Sequence, residues 1–451
     1  MNLFVKDKAF YRRLLAIALP VALQNLILFG VSLSDTVMVG VLGEAQLSGV
    51  SIANQLTFIF LLLSFGTGSG ASVLAAQYWG KKDAESIQKA ITIMYRIIIA
   101  AGLLFMALAV LLPRQVISVF TTDLEVIEEG VKYLRIVGFS YLFMGISTTT
   151  INLLRSVGTV KIALVVSISS LVVSASLNWV LIFGNLGAPA LGVAGAAIST
   201  CIARAVEVII ISIYMFTYDN KIRYRFQMLF MQKLGMARRF LEIGVPVVLN
   251  ELVWGSGMAV IAVIIGRMGR EFTAANAICM VLSQLVTIAM FGVANAAAVI
   301  IGNSIGSGEY QKAKEYARTI LTISFLLGLV GCAAVQLLKN PMIGVYNISP
   351  LARSYAEQVV NVYSVLVIFV ALAATLMVGV LRGGGDTRFV LVVDIVFLWF
   401  VSIPAGAVAG LVLGLPVWLV YSILKLDEVL KVITALLRVA RGNWINDITV
   451  R

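Results

Sequence analysis

The chain has no histidine, only 12% charged residues and 3 cysteines across 451 positions. Without histidine no nucleophile–histidine pair can form, which weakens most hydrolase readings. A proton carried near neutral pH must instead ride on water, or on a carboxylate whose proton affinity burial has raised. No G-x-x-x-x-G-K-[ST] loop occurs, and Gly383-Gly384-Gly385-Asp386 serves more simply as a tight reversal than as a phosphate cradle. With no ATP site, any work the chain does draws on a gradient. Cys201, Cys279 and Cys332 all lie inside apolar segments, where cysteine is a small core residue more often than a ligand or disulfide partner. They say nothing about redox compartment. The scarcity of charge also excludes an ordinary soluble domain, in which about a quarter of residues are charged.

What the chain has in abundance is hydrophobicity: 60% apolar residues and a mean hydropathy of +1.00. A spanning helix needs about 20 apolar residues, and the sequence offers about twelve such runs with short polar breaks. The expected fold is therefore all-α and polytopic, with no room for a separate soluble catalytic domain. The amino-terminal stretch carries Lys6, Lys8, Arg12 and Arg13 ahead of an apolar run without a small-residue cleavage pattern, so it reads as a first membrane helix rather than a signal peptide. Lysine and arginine exceed aspartate and glutamate by 34 − 22 = 12. The surplus sits in alternate breaks: the amino terminus, Lys81-Lys82, Arg155 and Lys161, Lys221 to Arg239, Lys312 and Lys314, Arg382 and Arg388, and beyond Lys425. The other breaks carry Asp123, Glu125, Glu128 and Glu129, or almost no charge. This alternation argues against nucleic acid and places both termini in the cytoplasm.

Sliding the chain along itself by 246 − 20 = 226 positions superposes Pro20 on Pro246, Gly40 on Gly266, Gly43 on Gly269, Gly66 on Gly292, Gln77 on Asn303 and Gly80 on Gly306. With one more residue of offset, Leu154-Arg155-Ser156-Val157-Gly158 falls on Leu381-Arg382-Gly383-Gly384-Gly385, and Lys161 on Arg388. The chain is a duplication of one half. Each repeat holds about six helices, so both copies start on the same side and are related by an axis along the membrane normal. The expected organisation is a lobe over 1–220, a basic cytoplasmic linker over 221–239 and a second lobe over 240–451, the two facing across a central cleft. Rocking of such halves is the mechanical requirement of alternating access. Gly30, Gly40, Gly66, Gly68 and Gly70 allow close helix approach or bending.

Ionisable residues inside a membrane are costly, which makes each of them a candidate for function. Asp35 lies within the first helix, in Ser32-Leu33-Ser34-Asp35-Thr36, and helical spacing puts Gln24, Ser32 and Asp35 on one face. Ser174 and Asn178 stand one turn apart on the fifth helix and can line the same chamber. In the second half Glu251 and Asp394 are further acidic candidates. Arg204 and Glu207, three apart, should neutralise each other, and Lys425, Asp427 and Glu428 should form an interfacial or paired set. Arg204 is the one clear mid-helix arginine. Met38, Trp254 and Met290 are candidate cleft-lining residues that ordinary core or lipid contact explains equally well.

In this order, and with this duplication, several motifs resemble the multidrug and toxic compound extrusion (MATE) transporters of bacteria. They are Asp35-Thr36 with Gly40, Ala76-Gln77-Tyr78-Trp79-Gly80, Asn178 followed by Leu181-Ile182-Phe183-Gly184, Gly192-Val193-Ala194-Gly195-Ala196-Ala197, and Leu381-Arg382-Gly383-Gly384-Gly385-Asp386-Thr387. The resemblance implies a multi-pass antiporter of the bacterial inner membrane, made of two six-helix bundles and exporting amphipathic, often cationic drugs in exchange for protons or sodium. It implies that Asp35 is the ion-coupling residue, with Ser174 and Asn178 as its polar partners and Asp35 and Asn178 as possible sodium ligands. Gln24, Glu251, Asp394 and Trp254 remain candidates for substrate or ion. The family's seventh-helix glutamate lies about one turn further from the proline than Glu251 does, and Asp394 matches the acidic site of the second lobe only approximately. No cofactor beyond the coupling ion, no resident metal and no nucleic acid is expected, and the transporter is expected to work as a monomer among lipid. A lipid-linked oligosaccharide flippase is the alternative, although its pyrophosphate would favour several arginines in the cleft.

Overall fold

A backbone in hydrocarbon must satisfy its own N–H and C=O groups, which leaves helices and closed barrels as spanning structures. The computed structural model of the chain, which describes residues 4–230 and 235–450, is helical, with no strand among the described residues. Lys233 of the expected basic linker lies outside them. The first repeat runs α1 (Lys8–Gly40), α2 (Glu44–Gly80), α3 (Ala84–Leu111), α4 (Pro113–Ser118), α5 (Leu124–Val137), α6 (Ser140–Ser156), α7 (Lys161–Phe183) and α8 (Val193–Ile213). The second runs α9 (Ala237–Arg267), α10 (Arg270–Gly306), α11 (Tyr310–Val345), α12 (Pro350–Ala374), α13 (Thr387–Asp394), α14 (Ile403–Ala407), α15 (Val417–Leu424) and α16 (Leu426–Ala440).

Ten helices among the described residues are long and apolar enough to cross a membrane, or eleven if α5 and α6, bent by 58° to each other, count as one span. The last apolar stretch is divided between α15 and α16 at Lys425 and carries Asp427, Glu428 and Lys431, so it falls short on length and charge together. Large apolar side chains such as Leu15, Leu104, Val330, Leu337 and Phe400 stand exposed on the helices, the pattern of a surface solvated by acyl chains.

The helix starts carry the duplication. α2 and α10 begin 270 − 44 = 226 residues apart, α3 and α11 begin 310 − 84 = 226 apart, and the capping residues Asp123 and Ser349 are 349 − 123 = 226 apart. Asp123 Oδ1 accepts from Glu125 N at 3.0 Å, and Ser349 Oγ accepts from Ala352 N at 3.2 Å, so both helices open on a side-chain cap. Further along, Gly158 and Gly385 adopt φ of +72° and +84°, and the closing bonds Thr159 N to Leu154 O and Asp386 N to Leu381 O are equivalent at an offset of 227. Between cap and closing turn the second repeat has a π-helical stretch, Thr375–Arg382, continuing α12. A π turn closes i→i+5 instead of i→i+4, and so takes up the one additional residue without disturbing either end.

By packing the chain divides into two units. One holds the described residues of Met1–Ala22 and Leu249–Arg451 with Ala76–Lys82; the other holds Leu23–Ala75 and Asp83–Val248. α1 therefore changes unit after Ala22 and α9 after Val248, equivalent positions of the repeat (248 − 22 = 226). In the Leu23–Val248 unit a Cβ on Gly66 would lie 2.7 Å from Val248 Cα and one on Gly70 2.7 Å from Gly244 Cα, while Gly68 faces Thr149 Cα at 2.8 Å. In the other unit Gly292 meets the Ala18 carbonyl at 2.6 Å, and α2 and α10 approach so closely that a Cβ on Gly80 would overlap Asn303 O and one on Gly306 would overlap Gln77 O. Gly30 has open space around it and Gly40 touches only the Leu47 side chain at 3.8 Å, so close approach does not account for those two. Each unit has its own apolar core, around Phe60, Leu134 and Tyr141 in one and around Phe272, Leu282, Val360 and Leu398 in the other.

Gly306→Leu should therefore destabilise the purified protein by about 1–3 kcal/mol through overpacking, and so lower its melting temperature. Gly266→Ala, where a Cβ meets nothing within 4 Å, should leave it unchanged. Thermal unfolding followed by size-exclusion chromatography separates the two.

Candidate functional site

The buried face of α7 is polar where a soluble helix would be apolar. Ser167, Ser170, Ser174 and Asn178 recur at intervals of three and four and are all buried. At the far end of this stripe Ser174 Oγ donates to Asp35 Oδ1 at 3.1 Å, and Asn178 Nδ2 donates to the same oxygen at 2.6 Å. Ser174 and Asn178 are fully enclosed and Asp35 is partly buried. Two donors on one carboxylate oxygen stabilise its ionised form, and protonation of Asp35 would weaken both bonds. The buried Oδ1 of Asn178 has no hydrogen-bond partner. Asp35, Ser174 and Asn178 thus present oxygens that a proton or a hard cation could use. Among the described residues no group of three or more His, Cys, Asp or Glu could hold a metal ion.

The rest of the expected polar face of α1 goes elsewhere. Ser32 is exposed, and its carbonyl accepts from Thr36 Oγ1 at 2.8 Å. Gln24 is buried, and its Oε1 accepts from Nη2 of Arg155. Arg155 thus lies inside the unit at the end of α6, 7% exposed, and not in an exposed break. Arg204 pairs with Glu207 as the spacing requires, Nη1 to Oε1 2.8 Å, and Ser147 Oγ donates to Glu207 Oε2 at 2.8 Å.

In the unit of Leu249–Arg451, Glu251 and Asp394 belong to one buried network. Arg382 Nη1 lies 2.7 Å from Glu251 Oε1, and its Nη2 donates to Asn250 Oδ1. Asn250 Nδ2 donates to Asp394 Oδ2, and Lys431 Nζ reaches Asp394 Oδ1 at 2.6 Å and Asp427 Oδ2 at 2.8 Å. Every member is buried or nearly so, with Lys431 3% and Arg382 4% exposed. Ion pairing is what makes the burial of Glu251 and Asp394 tolerable. Of the expected set Lys425, Asp427 and Glu428, all three interact electrostatically, but the direct partner of Asp427 is Lys431 one turn on, and Lys425 Nζ points to Met258 Sδ at 3.5 Å. Arg382, like Arg155, is an interior residue that sequence reasoning assigned to a basic break, so Arg204 is not the one interior arginine. The duplication held the missing signal. Arg155 aligns with Arg382, Gln24 with Asn250 (250 − 24 = 226) and Arg204 with Lys431 (431 − 204 = 227). Trp254 stands over a third exposed on α9 and joins neither cluster, Met290 is core, and Met38 packs at the edge of the other core.

A family model described as MatE matches residues 20–180 and 246–420, two blocks whose starts are again 226 apart. The chain belongs to the MatE family. Its relatives include a probable multidrug resistance protein NorM of Thermotoga maritima, 24% identical over 401 residues and covering 88% of this chain and 85% of that one. Another of the same description, from Agrobacterium fabrum, is 26% identical over 414 residues, 90% and 88% of the two chains. The fold matches that of a MOP superfamily transporter from Pyrococcus furiosus with a TM-score of 0.86 at 16% identity, over 97% of this chain and 96% of that one. That transporter is described as having a binding pocket of reverse polarity suggesting a different function. This MatE protein is thus a multi-pass membrane transporter of a multidrug-efflux family.

Lys431→Ala would strand two buried carboxylates and should cost about 3–5 kcal/mol of stability. Lys431→Met combined with Asp394→Asn and Asp427→Asn removes both signs together and should recover most of that loss. Chemical denaturation of the purified variants measures the difference.

Proposed function

We propose that this MatE protein exports amphipathic, cationic small molecules across the plasma membrane of a bacterium in exchange for protons or sodium, with Asp35 as the ion-coupling residue and both termini in the cytoplasm. A single chain suffices. The observation that carries the reading is the Asp35–Ser174–Asn178 cluster: a carboxylate on a spanning helix hydrogen-bonded by neutral donors and without an ion pair of its own, since Arg204, the cation whose field reaches it, is paired with Glu207. A carboxylate with a built-in countercharge has no need of an external ion; one without it is neutral only when a proton or cation binds. Binding of that ion and binding of a cationic cargo then exclude each other in one chamber, which is the requirement for exchange. Export of drugs is supported by the description of the relatives as multidrug resistance proteins.

The alternative of a lipid-linked oligosaccharide flippase calls for several unpaired arginines facing a pyrophosphate. Of the interior arginines described above, Arg204 is committed to Glu207 and Arg382 to Glu251, which leaves Arg155 without a carboxylate partner, one arginine where the flippase calls for several.

Asp35→Asn should reduce efflux of a fluorescent cationic dye from energised vesicles to the level of empty vesicles, with the amount of folded protein unchanged; efflux at the wild-type rate would sink the assignment. Imposing a proton gradient and a sodium gradient separately on wild-type vesicles identifies the ion, since only the coupled one drives efflux. Failure of both gradients would rule out the antiport itself.

A further inference from the structure

The two repeats bury one arginine each in the same place and give it the same first-helix partner. Arg155 is 7% exposed and bound by Gln24; Arg382 is 4% exposed and bound by Asn250. The Nε of each has no acceptor among the described residues. Their surroundings differ by one charge. Arg382 has the carboxylate of Glu251 at 2.7 Å. The residue in the corresponding position of the first repeat is Asn25 (251 − 226 = 25), which is neutral. No Asp or Glu among the described residues comes within ion-pair distance of Arg155, whose other acceptor is Asn152 Oδ1 at 3.1 Å.

A guanidinium remains protonated at any pH the protein meets. A buried charge is stable only with a counter-charge, and the second repeat supplies one from its own chain. We propose that Arg155 binds a compact monovalent anion, free chloride or the carboxylate of a bound cargo, in the position that the Glu251 carboxylate takes beside Arg382. The size follows from the equivalent site, where a single carboxylate completes the pairing. The asparagine at position 25 is one methylene shorter than glutamate, and half-buried like Glu251. The amide oxygens of Gln24 and Asn152 are turned to the guanidinium, which leaves their N–H groups as further donors for an anion. Two lysines follow the arginine's helix: Lys221 Nζ donates to the Val157 carbonyl at 2.8 Å, and Lys161 opens α7. The site shares no residue with the Asp35 cluster and holds charge of the opposite sign.

The test is thermal unfolding of the purified full chain in neutral detergent at constant sodium and ionic strength, with a bulky sulfonate replaced stepwise by chloride or by acetate. Wild-type protein should gain about 5 °C, saturably, with at least one of the two anions. Chloride as the effective anion identifies a free halide, and acetate alone identifies a carboxylate-bearing cargo. Asn25→Glu, which installs the countercharge, should unfold at the higher temperature without added anion and show no response, while Asn25→Gln should respond as wild type does. Arg155→Gln should also lose the response, and Asn25→Glu keeps the question decidable if that variant does not fold. A wild-type melting temperature indifferent to both anions, or a response of undiminished size in Asn25→Glu, would overturn the proposal.

Discussion

A charge inside hydrocarbon has no water to share its field, so it must find its opposite within the same packed unit or remain poised to take one from outside. That constraint orders the interior of this chain. Glu207 is neutralised by Arg204 one turn away and steadied by Ser147. Lys431 lies between Asp394 and Asp427, and Arg382 between Glu251 and Asn250. Against that background two residues stand out by having no ion pair of their own, the Asp35 carboxylate and the Arg155 guanidinium, and both belong to the first repeat.

The duplication makes each half a control for the other. Backbone features have been kept: the start positions of the helices, the capped entrance at Asp123 and Ser349, and the left-handed glycines at Gly158 and Gly385. Charges have not. Ile261 stands where the first repeat has Asp35, and Asn25 where the second has Glu251. One half has closed its ionic books internally and the other has left them open, a division of labour that a common scaffold permits because helix packing depends on shape far more than on which buried polar group is carried.

Much of this was legible beforehand because the bilayer imposes a one-dimensional code. Apolar run length foretells the helices, and Gly66 and Gly80 repeat at Gly292 and Gly306 for reasons of close approach that a sequence comparison registers. The i, i+4 spacing of Ser174 and Asn178 marks a polar face. That α1 supplies the carboxylate to that face is a contact across 174 − 35 = 139 residues, and spacing along one helix carries no information about it. The arginines were misplaced for a related reason. A count of basic residues near helix ends treats Arg155 by its chain neighbours, whereas its burial is decided by Gln24, 155 − 24 = 131 residues away. The last helices fall short as spans because the stretch is divided at Lys425 and because Asp427 and Lys431 cancel only in three dimensions.

Where α5 meets α6 the first repeat turns a corner of 58°, whereas the second runs on through Pro350–Arg382 and widens its last turns into a π-helix. The same stretch of the ancestral unit has thus become an elbow in one copy and a coil with a loosened pitch in the other. An elbow swings about a point; a loosened coil yields along its length. Two halves that repeat one plan are, as springs, different objects.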